Sequence, residues 1–583
     1  MVIACTRDCY DTCIFDDNYK PLKSFPFLGF TCSRGNADLR RNKINRVLSP
    51  LVEGKETSLE DSVKYISKII KETPKDKIIH VEYDGNQGLL TWYYPARLWN
   101  LLGTLSIDYS ICSSEGHEAI KAHYGSSFGA LPEEFEKYDS VVFWGSESAI
   151  SFIHGWKLLH NKYKITVDVR ISETARRSDK YYLVRPGSDG FLAIGVMKRI
   201  FTRGVSANIL DDEVTLREYM NSYTWDQIES VTGLNRKYIE ELGDLYYDRR
   251  PLTIMGFALG RTYYGGDAVS LISLIPALLG LRRGFFYSNS QGWGIDFSYL
   301  RGLHVSKPAR IVPMGKVGEE VEKGNIKVIF AWNSNPIHSL PNSDRIVDAI
   351  KEGRLTLITH DPFHNESVKL SNVVIPSPTF LEKRDVVYSY WHDYLVYNEP
   401  IYEPKGVDEI RLMRLIARQL DISHPLIEED EWKAVDYAIR RTGVSLEELV
   451  KQKVVKVKKY YDGFQRVKVN PLPRLKDPPM GEYLVFSSHP NHTNSQFNEI
   501  YDRPQPIVYN CCYEGEGYLE SDFGRIHVIF KISERVPKGV YYMYKSGLFD
   551  LDDRPVNSIV NNAINEYGGT PQINFTKVRA ILK

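Results

Sequence analysis

The sequence predicts an α/β protein of several lobes: a small cysteine-built lobe at the amino terminus, two related α/β units, and a β-barrel at the carboxyl end. Three observations carry that expectation. Cys5, Cys9 and Cys13 stand at four-residue intervals, and Cys32 follows in Thr-Cys-Ser-Arg-Gly. A strand with an acidic end occurs twice, as Asp168-Val-Arg-Ile-Ser-Glu173-Thr174 and as Asp361-Pro-Phe-His-Asn-Glu366-Ser367. Beyond residue 480, short β-patterned runs separated by turns continue to the end.

Bulk properties bound the reading. At 583 residues the chain exceeds one core, and about three to five lobes are expected. Lys plus Arg and Asp plus Glu both total 74, so no global basic field draws in nucleic acid or an anionic membrane. Only Met1 to Ala4 precede Cys5, which leaves no room for a secretory leader and predicts a cytoplasmic protein. The longest apolar run, residues 269–281, is too short for a membrane span and reads as a buried helix. Seven cysteines, four of them at one end, suit a reducing compartment and metal ligation better than a disulfide framework.

Taken in order, the four leading cysteines offer a thiolate set suited to a [4Fe-4S] cluster; a structural zinc site, with its two matched knuckles, and plain buried or bridged cysteines are the alternatives. Arg34 adds a fixed positive charge beside that set, unless it is a solvated surface arginine. Residues 58–71 read as a helix behind a capping Ser58, 78–81 as a buried strand, and 85–102 as an aromatic-rich helix. Cys112 stands in a Ser-rich loop before a helix that begins near Glu115. A helix amino terminus favours thiolate, the metal-ligating form; an inert buried cysteine is the alternative.

The α/β units follow. Strands at 141–144, 163–169 and 181–184 lead into Gly145-Ser146, Asp168 and Arg170, and Asp189; strands at 327–331, 355–359 and 373–375 lead into Asn333 and Asn335, Asp361, and Pro-Ser-Pro. Strand, turn, helix and a following acidic residue is how a nucleotide is held at the carboxyl ends of a parallel sheet, and its repetition implies two related sites facing each other. Asp168 and Asp361 can each accept two hydrogen bonds from guanine or a ribose diol, or else serve as helix N-caps. Between the units, residues 254–266 read as a strand and a glycine-rich loop, a weak phosphate cradle. Helices are expected at 408–420 and within 428–454, and a Lys- and Pro-rich linker at 451–479. In the barrel, strands at 483–486, 507–509, 525–530 and 540–543 carry a donor-rich loop holding Ser487, His489, His492, Thr493 and Asn494, which suits polyphosphate or pterin oxygens or is simply solvated.

In this order the motifs resemble those of the molybdopterin oxidoreductases of the dimethyl sulfoxide reductase family, which includes formate dehydrogenases, nitrate reductases and polysulfide reductases. The shared features are Cys32-Ser-Arg34-Gly35, Trp144-Gly-Ser146, the segments from Asp168 and Asp361, Arg185-Pro-Gly-Ser-Asp189, Asn333-Ser-Asn335-Pro336, Glu382-Lys383, and a barrel with His492-Thr493 and Val556-Asn557. The resemblance implies an α/β, multi-lobed molybdopterin oxidoreductase fold with two related dinucleotide-binding α/β units, a small amino-terminal [4Fe-4S] lobe and a carboxyl-terminal β-barrel. The lobes would be residues 1–48 for the cluster, 111–302 for the first dinucleotide half, 49–110 with 303–460 for the second, and 480–583 for the barrel.

It implies one [4Fe-4S] cluster on Cys5, Cys9, Cys13 and Cys32, and molybdenum or tungsten held by two molybdopterin guanine dinucleotides with Cys112 as the protein ligand. Asp168 and Asp361 would read the guanines, Arg34 would bridge cluster and pterin, and Gly145, Ser146, Arg170, Asp189, Asn333, Asn335, Ser487, His489, His492, Thr493 and Asn557 would complete the cofactor sites. His117 would be a proton shuttle near the metal, or an ordinary helix histidine. The activity implied is two-electron chemistry on a small-molecule substrate, with electrons passing through the cluster to a redox carrier protein or electron-transfer subunit and no direct membrane insertion. A non-redox hydratase-type relative and a metal-free electron-transfer subunit are the competing functions. Ser113 stands where formate dehydrogenases carry histidine, and residues 285–294 show no counterpart of their catalytic arginine; both departures argue against formate.

Overall fold

Residues 140–144 and 328–332 are each followed by a polar turn, and apart from Ser140 both runs are apolar, the pattern of strands covered on both faces. In the computed structural model, which describes residues 1–205, 208–545 and 549–583, each lies inside a parallel sheet. The first sheet has five strands in the order Phe285–Phe286, Leu252–Met255, Ser140–Trp144, Tyr163–Asp168, Lys180–Leu183, all parallel. The second has eight: Arg310–Val312, Leu105–Ile107, Ile78–Glu82, Val328–Trp332, Thr356–Asp361 and Val373–Pro376 run parallel, and the hairpin Leu51–Val52 with Lys55–Glu56 closes one edge. The repeat therefore exists in space. Gly145 and Asn333 leave equivalent strand ends, and Asp168 and Asp361 close the strands beside them.

Helices cover these sheets as the periodicity predicts, with breaks where the chemistry demands them. Ser58 accepts from the Asp61 amide and starts helix Leu59–Glu72. The aromatic-rich segment splits into Leu89–Trp92 and Ala96–Leu102, because Pro95 has no amide hydrogen to continue the ladder. The carboxyl-terminal helical segment likewise divides at Gly443, φ +76°, into Glu431–Ile439 and Leu446–Gln452. The apolar run belongs to helix Gly265–Leu278, which packs against Ser114–Tyr124 and Asp189–Thr202 and is buried nearly all round. Among the described residues, no helix is long and apolar enough to cross a membrane.

Two expectations change. Residues 451–479 are not a free linker: Lys451 and Gln452 end a helix and Val454–Lys456 is a strand. The Phe464, Val467 and Lys468 amides donate to Tyr124, Ile209 and His123 carbonyls, and Val467 and Val469 are buried, so the segment straps the first α/β unit. A three-stranded antiparallel sheet, Asp385–Val387, Tyr394–Asn398 and Val454–Lys456, was not legible as such. It supports the cysteine lobe: Ala4 and Ile14 pack on Val387 and Val396.

The last sheet has seven strands, from Thr576–Lys577 at one edge through Tyr483–Ser488, Val540–Lys545, Ile507–Asn510, Gly524–Ile532 and Gly515–Ser521 to Arg579–Leu582 at the other. Its two edges are separated in sequence by Val578 alone, so the sheet curls until one chain segment serves both edges, a nearly closed barrel. Cys511 and Cys512, adjacent in sequence, are bonded to each other; the other five cysteines are free.

Where the strands of the first sheet end, backbones approach closely. A Cβ on Gly256 would lie 1.9 Å from the Gly145 carbonyl oxygen. Gly256→Ala is therefore expected to lower the thermal melting midpoint by several degrees by prising apart strands Leu252–Met255 and Ser140–Trp144; an unchanged melt would contradict this packing.

Candidate functional site, two clefts meeting at Cys112

The head of the chain folds as a hairpin, Ile3–Ala4 against Ile14–Phe15, and the Cys5 amide donates to the Cys13 carbonyl at 2.8 Å. Cys9 lies in the loop between them, and Cys32 is the N-cap of helix Ser33–Arg41. Gly35 permits the approach, because a Cβ there would stand 2.2 Å from Thr31 Oγ1. Cys9 and Cys13 each feel the charge of Cys5 and Cys32, and Cys5 feels that of Cys32. Burial pushes Cys5, Cys9 and Cys13 upward. At Cys32 burial also pushes up, but Arg34 and then Arg7 outweigh it and the thiol comes down. Arg34 is not a solvated surface group: it is 7% exposed and donates to Thr493 Oγ1 at 2.6 Å and to the His492 carbonyl at 3.1 Å.

One cleft, of about 1450 Å³, is walled by Gly145, Ser146, Asp168, Arg170, Asp189, Ser487, His492 and Thr493, with Arg34 and Cys9. Gly145 turns at φ +55°, where a side chain would be strained. Trp144 Nε1 donates to Asp189 at 2.8 Å, and burial lifts that carboxyl to about 6. Arg170 donates to Glu147 at 2.6 Å and to Ser487 Oγ at 2.9 Å, and lies 3.8 Å from the Tyr542 ring centre, tying sheet to barrel.

The other cleft, of about 1370 Å³, is walled by Asn333, Asn335 and Asp361, with Arg7, Arg41, Lys383 and Gln496. Asn333 donates to the Tyr83 and Asn86 carbonyls at 2.7 and 2.8 Å, and Asn335 joins Glu366 and Ser367. Both amides mainly shape the loop. Neither Asp168 nor Asp361 caps a helix. Ser172 and Asn365 do, accepting from Ala175 and Val368. Burial raises Asp168 and lifts Asp361 to about 7.

Cys112, Asp8, Arg261 and Lys545 line both clefts. Arg261 donates to Cys112 Sγ at 3.0 Å and to the Ile111 carbonyl at 3.2 Å. The helix-terminus expectation of a lowered Cys112 pKa is overturned: burial drives it to about 11, with Arg261 opposing. Tyr390 donates to Asp84, which lies beside Asp8, and burial raises both carboxyls. Burial lowers Lys545 to about 8, with Arg261 adding to the effect.

Three expected site residues lie elsewhere. His117 lines neither cleft; its Nδ1 meets Ser127 Oγ at 2.6 Å, and burial lowers it to about 4, which marks a core histidine. His489 stands behind His492, ring centres 4.7 Å apart, outside both walls. Asn557 donates to the His338 carbonyl at 2.7 Å and fastens the barrel to the second α/β unit. The sequence reading missed Asp8, Asp84, Tyr390, Arg261 and Lys545. Arg261 was within reach, as the one cation of the glycine-rich loop 254–266, and it supplies an arginine at Cys112 from outside 285–294.

Fold and site define a class of α/β protein in which two repeated units share one buried central thiol. The profile of the molybdopterin oxidoreductase family matches residues 62–395, and the chain belongs to that family. It is 24% identical over 386 residues to a probable oxidoreductase, YoaE, of Bacillus subtilis (strain 168), covering 62% of this chain and 57% of that protein. It is 25% identical over 441 residues to a second, YyaE, of the same organism, covering 69% and 66%. The matches thus span less than two thirds of either relative. Acetylene hydratase from Pelobacter acetylenicus superimposes with a TM-score of 0.77 at 16% identity, over 100% of this chain and 98% of that one, a likeness of fold.

The Asp361 carboxyl has an observable cost. Its folded pKa, about 7, lies above the ~3.9 of an unfolded aspartate, so between pH 4 and 7 the folded chain binds the extra proton and stability falls as pH rises. Asp361→Asn should raise the melting midpoint of cofactor-free protein at pH 8 and leave it near wild type at pH 4; an equal difference at both pH values would contradict the assignment.

Proposed function

We propose that this chain is an oxidoreductase of its family that performs two-electron chemistry on a small molecule at molybdenum or tungsten held by two molybdopterin guanine dinucleotides, with a [4Fe-4S] cluster relaying electrons to a carrier protein or electron-transfer subunit. The observation that carries this reading is that two clefts of similar size, each ending one copy of the repeated unit, share the Cys112 wall. The family itself implies a molybdenum or tungsten pterin cofactor, and the residues present suit such a group. Arg34 Nε in the first cleft and Arg7 Nε in the second are, among the described residues, buried without a hydrogen-bond partner, and buried donors of that kind normally find one.

In this reading Asp168 and Asp361 accept from the guanines, Arg170 and Arg34 offer cations to the first dinucleotide, and Cys112 ligates the metal. Cys5, Cys9, Cys13 and Cys32 hold the cluster. Cys5 and Cys32 act electrostatically on Cys9 and Cys13, which puts the four thiols in one neighbourhood, as the ligands of one four-thiolate centre would be. When bound, the metal supplies the two-electron exchange. Arg261 donates to the Cys112 sulfur and opposes the burial that favours its thiol, and so would support the thiolate that a metal takes. Tyr10, Phe257 and Tyr390 wall the first cleft beside it, with the Tyr10 and Phe257 rings 4.7 Å apart. Arg261 and Lys545 place two cations where a polar or anionic substrate would meet the metal.

Anaerobically purified protein should contain iron, inorganic sulfide, a pterin, and molybdenum or tungsten. Cys112→Ala should retain the visible absorbance of the cluster while dye-linked turnover falls to background. Equal loss of both would contradict the separate roles, and iron without molybdenum or tungsten would leave an electron-transfer subunit.

A further inference from the structure

Arg34 is not the only arginine that reaches from the cysteine lobe into a cleft. Arg7 is 4% exposed, and its Nη1 donates to Cys5 Sγ at 2.8 Å. Its Nη2 pairs with Asp38, whose carboxylate also accepts from Tyr19 Oη at 2.7 Å. The guanidinium lies 5.0 Å from the ring centre of Phe497, a fully buried side chain that screens it from water. Arg7 lines the second cleft and not the first, whereas Arg34 lines the first and not the second. Each keeps a buried Nε–H with no acceptor among the described residues. Each cleft thus receives one cation from the cysteine lobe.

We propose that Arg7 is a second cationic bridge, a positioning residue that joins Cys5 to the second cleft as Arg34 joins the cysteine lobe to the first, and that it sets how readily the cluster accepts an electron. The inference rests on the cluster assigned to Cys5, Cys9, Cys13 and Cys32 above. The chemistry read out is one electron supplied by dithionite to a cluster that Cys5, Cys9, Cys13 and Cys32 would hold; no bond breaks and Arg7 exchanges no proton. Net charge and hydrogen bonds to sulfur govern such potentials, and a guanidinium held in a dry site acts through a low dielectric. Reduction adds negative charge beside that cation, so Arg7 favours the reduced state. An arginine serving only to neutralise Asp38 would not need to donate to the cysteine sulfur.

The test is a dithionite titration of anaerobic holoenzyme, with the cluster followed by electron paramagnetic resonance. Wild-type protein is first analysed for iron and sulfide; if both are missing, the cluster assignment fails, and this inference with it, before any potential is read. Given a cluster, Arg7→Gln should lower the reduced-to-oxidised ratio at the wild-type midpoint about tenfold, which is a fall of about 59 mV for one electron. Asp38→Asn should move the midpoint upward, because the guanidinium loses its counter-charge. Opposite shifts support the bridge. Unmoved midpoints, or shifts of the same sign in both variants, overturn it as mere loosening of the lobe. Should Arg7→Gln fail to assemble, Arg7→Lys decides: it keeps a cation but cannot both pair with Asp38 and donate to Cys5 Sγ, so a lowered midpoint supports the bridge and an unmoved one overturns it.

Discussion

The site depends on bringing the carboxyl-terminal edges of two parallel sheets to one buried sulfur. Parallel strands present their ligand-accepting loops at one end only, so two copies of the unit can share a centre only if those ends point at each other. Cys112 occupies that meeting point. Its loop follows strand Leu105–Ile107 of the second sheet, and its helix Ser114–Tyr124 packs on helix Gly265–Leu278, which follows the first sheet's strand Leu252–Met255. The thiol is thus anchored to both units. Thr570 locks the arrangement by donating to the Ser110 carbonyl at 2.5 Å and accepting from the Glu115 amide at 3.1 Å, which binds the barrel to the same loop.

Convergence has an electrostatic consequence. Asp8, Asp84, Arg261 and Lys545 crowd the centre, and burial shifts the two carboxyls up and the lysine down, toward their neutral forms. Arg261 remains charged and holds the Cys112 sulfur. Ionisable groups shifted this far cluster at functional sites. A fold that keeps several of them around one thiol is organised around something it binds.

Much of this was legible in the sequence. Apolar runs ending in Gly145-Ser146 and Asn333-Ser-Asn335, with Asp168 and Asp361 one strand on, fixed the repeat and both cleft walls, because a doubly covered strand leaves a continuous apolar signal. Cys112 stood out as a lone cysteine before a helix. The centre itself was less visible. Asp8 is hidden inside the cysteine motif, Lys545 ends a strand whose apolar pattern stops at Met543, and Asp84 and Tyr390 meet across some three hundred positions. Nothing local marks such pairs. Of the two readings of His117, the core histidine is the one its neighbours Ser127 and Tyr287 support; helical spacing from Cys112 says which turn a residue occupies and not which neighbour covers it. The stretch 451–479 looked like a linker because Lys and Pro dominate its composition, while Val467 and Val469 carry its contacts.

The two cation bridges of the cysteine lobe extend the symmetry of the clefts to the head of the chain, one arginine to each. That correspondence makes the number of bound nucleotides the most direct measure of whether both clefts serve the same kind of ligand. Acid release of guanine nucleotide from anaerobically purified protein, quantified against chain and against molybdenum or tungsten, should give two nucleotides per chain and per metal. One nucleotide per chain, or a metal without any, would contradict the twin-cleft assignment.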